Sequence, residues 1–113
     1  MWKLTVRAGP RVERTRFDDF QAAMNALEAR GVTLTRELPR DPVDAKFKRF
    51  KPSQRVTARL ELAGPERYIA SARGGIDVRG DGSVQAYVGR VTRTTVEQRR
   101  GESAYEALGR ALA

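Results

Sequence analysis

The 113-residue chain reads as an α+β protein: a mainly antiparallel sheet of five or six strands with two helices packed on one face. Three observations predict this. Apolar and polar residues alternate with period two in Trp2 to Arg7 and in Arg55 to Leu62. Two short segments carry the capping signatures that open helices. A hairpin followed by an amphipathic helix also occurs twice, over residues 2–31 and again from Ile76 to the C-terminus. The two copies share Val6-Arg7 and Val78-Arg79, then a glycine-bearing turn and a valine (Val12, Val84). Their helices align Phe20-Gln21-Ala22 with Tyr105-Glu106-Ala107. The chain is therefore read as one domain over residues 1–113, built from two hairpin–helix units.

The elements follow in order. Trp2, Leu4 and Val6 alternate with Lys3, Thr5 and Arg7, a half-buried strand with one basic face. Gly9-Pro10 marks a turn. Residues 11–16 return with little apolar content, as suits an edge strand protected by charge. Asp18, with Gln21 three residues on, is the expected N-cap, and Phe17 takes the staple position. Phe20, Ala23, Met24 and Leu27 make the buried stripe of a helix over about 19–30, and Gly31 is its expected stop.

Residues 32–38 allow a further strand. Residues 39–54, with Pro39, Pro42 and Pro52, are expected to form a mobile basic loop. Val56, Ala58, Leu60 and Leu62 face the core in the clearest strand of the chain. Gly64-Pro65 ends it. Tyr68 to Ala72 reads as a strand, Gly74-Gly75 as a break and Ile76 to Arg79 as a strand. Gly80-Asp81-Gly82-Ser83 is a strong hairpin signal. Val84, Ala86 and Val88 continue on the core face, with a bulge near Gly89. Ser103-x-x-Glu106 opens the last helix, whose stripe is Ala104, Tyr105, Leu108, Ala111 and Leu112.

Composition narrows the chemistry. The chain has no cysteine, hence no disulfide, thiol nucleophile or thiolate metal site. It has no histidine, the commonest general base and metal ligand. The acids are scattered, and Asp77, Asp81 and Ser83 do not make a calcium loop. No enzyme, cofactor or metal is expected. No apolar run reaches the length of a membrane span and no signal-peptide core opens the chain, so the expected location is cytoplasmic.

Lys+Arg total 22 against Asp+Glu 14, a net charge of +8. The lysines are Lys3, Lys46, Lys48 and Lys51; the remaining cations are arginines, whose planar fork suits phosphate and carboxylate. An arginine-rich chain is also what a GC-rich coding sequence produces. The sheet face away from the helices is expected to carry Lys3, Arg7, Arg55, Arg59 and Arg79, with Tyr87 beside them. Lys46, Phe47, Lys48, Arg49, Phe50 and Lys51 form the densest basic run, with aromatics interleaved as in single-strand binding proteins. The same rings would serve equally to anchor a loop. The first helix is net acidic, so a recognition helix is not the natural picture. No motif identifies a family. In layout alone, the last strands and C-terminal helix resemble three-stranded-sheet DNA-binding domains, in which the sheet enters the major groove. The leading expectation is nucleic-acid binding through the basic sheet face and the 46–51 run. The alternative is a protein-interaction or homo-oligomerising module without catalytic activity.

Overall fold

The computed structural model describes residues 1–38, 55–64, 73–89 and 92–113. The expected loop at 39–54, including the 46–51 run, and the expected strand at 68–72 lie outside the described residues. Among the described residues there are six strands and two helices: β1 (Trp2–Ala8), β2 (Arg11–Phe17), α1 (Phe20–Glu37), β3 (Val56–Ala63), β4 (Arg73–Arg79), β5 (Val84–Val88), β6 (Thr94–Thr95) and α2 (Ala104–Leu112). The strands form one sheet in the order β2-β1-β3-β4-β5-β6. Every pairing in it is antiparallel.

Turn chemistry sets the register. Gly9, at φ 59°, opens the β1–β2 turn in the left-handed region, and Ala8 pairs with Arg11 across it. Glycine at the first central position of a two-residue loop is the type II′ arrangement, whose twist matches the strands. At the β4–β5 turn the Asp81 carboxylate accepts from the Ser83 N–H, and Gly82 sits at φ 85°. From these turns, Leu4, Val6, Ala58, Leu60, Leu62, Ile76, Val78 and Ala86 share one face of the sheet. They form one buried cluster with Ala23, Met24, Leu27 and Leu34 of α1 and Ala104, Tyr105, Ala107 and Leu108 of α2. Leu27, Leu60, Leu62, Ile76, Val78 and Leu108 are the largest fully buried side chains, each worth about 1.5–3 kcal/mol of burial. Trp2 and Phe20, with ring centroids 4.8 Å apart, join the start of β1 to the first turn of α1.

The sequence reading needs correction at the glycines. Helix α1 does not stop at Gly31; it continues to Glu37, so residues 32–38 hold its last turns and no strand. Tyr105 lies against Gly31, its Cε1 only 2.9 Å from where a Cβ would stand. Gly31 is thus where α2 meets α1. The N-cap of α1 is Asp19, not Asp18: the Asp19 carboxylate accepts from the Ala22 N–H at 2.6 Å. Gly74-Gly75 is no break either. Both residues lie inside β4, opposite Val88 and Tyr87. A Cβ at Gly75 would meet the Leu60 carbonyl oxygen and the Tyr87 ring. The expected capping box at Ser103 and Glu106 is present, with both of its hydrogen bonds at 3.1 Å.

Candidate nucleic-acid interface

Side chains that alternate with the core residues define the outer face of the sheet. On β1 they are Lys3, Thr5 and Arg7; on β2, Val12, Arg14 and Arg16. On β3 and β4 they include Arg59, Glu61, Arg73, Gly75 and Asp77; on β5, Gln85 and Tyr87. The assignment is checked by Glu13, of opposite parity on β2, which reaches Arg30 of α1 at 3.1 Å.

The outer face divides into two unlike halves. On β3–β5, charge is paired. Arg59 Nε donates to Asp77 Oδ1 at 2.6 Å and its Nη2 to Oδ2 at 3.3 Å. That hydrogen bonding raises the Arg59 pKa above its ordinary value, against a smaller opposing effect of burial. Arg73 stands 3.8 Å from Glu61. Tyr87 lies across Gly75 and is only 4 % exposed. Arg59 and Arg93 sit over its ring, 5.6 and 4.9 Å from the centroid. Burial pushes the Tyr87 hydroxyl up to about 12, and that hydroxyl and Arg73 Nε are buried without a hydrogen-bond partner among the described residues.

On β1–β2, charge is not paired. Lys3, Arg7, Arg14 and Arg16 are all exposed, and among the described residues none has a carboxylate within ion-pair distance. The register sets Lys3 directly opposite Arg16, Thr5 opposite Arg14, and Arg7 between Val12 and Arg59. Like charges held directly opposite are destabilising, so folding alone does not account for this arrangement.

Of the residues expected from sequence, Arg7, Arg55 and Arg59 come together. They line a cleft of about 660 Å³ with Gly9, Thr57 and Leu38. Arg79 pairs with Val56, which itself lines this cleft, and the Gly80 N–H donates to the Arg55 carbonyl, so Arg79 stands at the same end of β3. Arg55 and Arg79 each have an interaction of their own. Lys46, Phe47, Lys48, Arg49, Phe50 and Lys51 lie outside the described residues. Arg14 and Arg16 were not among the expected residues. The signal for them was present: a two-residue turn at Gly9-Pro10 pairs residues whose numbers sum to 19, which sets Arg16 beside Lys3 and Arg14 beside Thr5.

The remaining features supply no site. The capping box already satisfies the N-terminus of α2, and Glu102 beside it is held down to about 2, first by its hydrogen bonds from Arg110 and then by the Arg99 N–H. Among the described residues, no group of three or more acids could hold a metal ion, and no helix is long and apolar enough to cross a membrane. Comparison with family models, curated proteins and solved structures returned no match.

Proposed function

We propose that this protein is a non-catalytic nucleic-acid-binding module whose contact surface is the outer face of the sheet. The observation that carries the reading is the quartet Lys3, Arg7, Arg14 and Arg16 on β1 and β2, exposed and without a carboxylate partner among the described residues. A polyanion neutralises all four and relieves the Lys3–Arg16 repulsion, while counterion release supplies affinity. The cleft of Arg7, Arg55 and Arg59 extends the same surface toward β3. The 46–51 run, read from sequence alone, adds three lysines and an arginine to the chain between α1 and β3.

In this reading the fold is two-layered. Both helices cover the face of Leu4, Leu60 and Ile76, and the outer face is left for the partner. The single core cluster joining both helices to that one strand face supports this. The order β1-β2-α1, followed later by β4-β5-β6-α2, supports two hairpin–helix units. The competing reading, self-association through the free edge of β2, meets a charge obstacle. Two copies paired along that edge would bring Arg11, Arg14 and Arg16 of each strand together.

The test is fluorescence-anisotropy titration of labelled DNA and RNA at low salt. Binding that weakens steeply with salt supports the proposal. Absence of binding to every nucleic acid, with a dimer seen by light scattering, replaces it with the self-association reading.

A further inference from the structure

Resting on the binding reading above, we infer that the nucleic acid is duplex DNA, entered at its major groove by the β1–β2 hairpin with the outer face toward the base edges. Dimensions make the first argument. Paired strands lie about 4.8 Å apart, so six strands span roughly 24 Å, twice the major groove's width of about 12 Å. A whole sheet face cannot enter; an edge pair can. The sheet order makes β2-β1 such a pair, whereas β6 at the other edge has two residues.

Charge selects the same pair. Moving inward from β1, the next outer-face cations are committed to carboxylates, Arg59 to Asp77 and Arg73 to Glu61. Among the described residues, the exposed cations without a carboxylate on β1 and β2 therefore coincide with the part of the sheet that fits the groove, while Arg93, toward the other edge, lies over the Tyr87 ring. Arg55 lines the cleft beside Arg7, at the turn end of the hairpin.

Side-chain chemistry separates duplex DNA from other polyanions. Single-strand recognition uses exposed rings on which bases stack. The outer face of β1–β2 has none: Trp2 packs on Phe20, and Phe17 pairs opposite Trp2. Tyr87, the outer-face ring of β5, is buried beneath two arginines. What the hairpin does offer is arginine, which pairs bidentately with guanine O6 and N7 in the major groove. It also offers Val12, 41 % exposed and opposite Arg7, an apolar group of the kind that meets a thymine methyl. The deep, narrow major groove of A-form RNA admits no such ribbon. From Lys3 to Arg7 the strand rises about 13 Å, close to four base-pair steps.

The experiment compares one mixed-sequence DNA duplex with its separate strands, with the RNA duplex of the same sequence, and with a DNA duplex whose cytosines carry glucosylated hydroxymethyl groups that fill the major groove. Anisotropy titrations use the full chain. The plain duplex should bind most tightly, and the glucosylated duplex about tenfold or more weakly, since blocking the groove removes contacts of the strength of a bidentate pair. Netropsin, which fills the minor groove, should not compete. The variant Arg14→Gln/Arg16→Gln, shown folded by circular dichroism, should lose most of the difference between plain and glucosylated duplex. Equal binding of plain and glucosylated duplex, or tighter binding of single strands or duplex RNA, overturns the inference and leaves the nucleic-acid reading standing. No binding to any of the four overturns both.

Discussion

Lys3 and Arg16 occupy directly opposed positions across the β1–β2 ladder, two like charges on the outer face with no carboxylate between them among the described residues. A directly opposed pair of opposite charge would stabilise the hairpin where this pair strains it. Arg16→Glu is therefore expected to raise stability by about 0.2–1 kcal/mol while weakening nucleic-acid binding. Urea unfolding should show a higher midpoint with an unchanged slope. A lower midpoint would mean that Arg16 has a structural role the register does not show.

Gly31 should resist replacement. By helix propensity alone, Gly31→Ala would stabilise α1 by about 1 kcal/mol. A methyl group there meets the Tyr105 ring and hydroxyl, and overpacking of this kind costs about 1–3 kcal/mol. The net expectation is destabilisation. Because the hydroxyl makes the tightest approach, Gly31→Ala should be milder in a Tyr105→Phe background. A double-mutant cycle in chemical denaturation measures that coupling; additive effects would contradict the packing described.

Tyr87 carries a pH signature. Its pKa is raised from 10.0 to about 12, chiefly by burial, so between these values the unfolded chain ionises first. Stability is therefore fully present below pH 10 and declines as pH rises toward 12. Tyr87→Phe should flatten that decline. At neutral pH the same change should leave stability equal or higher, since it deletes a buried hydroxyl with no partner among the described residues. Thermal unfolding of both proteins across this range decides it, and a clear loss of stability at neutral pH would show that the hydroxyl is bonded.

The opposite sign applies to Glu102. Its pKa is lowered from 4.5 to about 2, first by hydrogen bonds from Arg110, so its contribution is present above 4.5 and lost as pH falls toward 2. NMR titration of the Glu102 carboxyl should show the depressed value in wild type and an upward move in Arg110→Ala. An unchanged titration would remove Arg110 as the cause.

Much of this architecture is legible in the chain because each strand buries one face. Leu4, Val6, Leu60 and Leu62 alternate visibly with charged residues, and Ser103 with Glu106 spells out the start of α2. The misread glycines share one cause. Gly31 and Gly75 look like a stop and a break, yet each lies within a continuous element and makes room for a tyrosine distant in sequence, Tyr105 and Tyr87. Local propensity carries no information about such a partner. Likewise β6, with two residues, is too short to show alternation. At the candidate surface, Lys3, Arg7 and Arg59 were legible from parity, but the engagement of Arg59 by Asp77 needs the β3–β4 register. Arg14 and Arg16 lie in a run without an apolar pattern, so only pairing with β1 reveals their face.

The most direct test of the β1–β2 hairpin as the contact surface is the salt dependence of duplex binding in wild type and in the variant with Lys3, Arg7, Arg14 and Arg16 all replaced by glutamine. The four side chains are exposed, so the variant should fold. If each contacts a phosphate, the slope of log K against log salt should fall by about 0.9 per contact, or roughly 3–4 in total; for any of them that reads a base edge, the loss appears as affinity at every salt concentration instead. A folded variant that binds with the wild-type affinity and the wild-type slope would contradict the account.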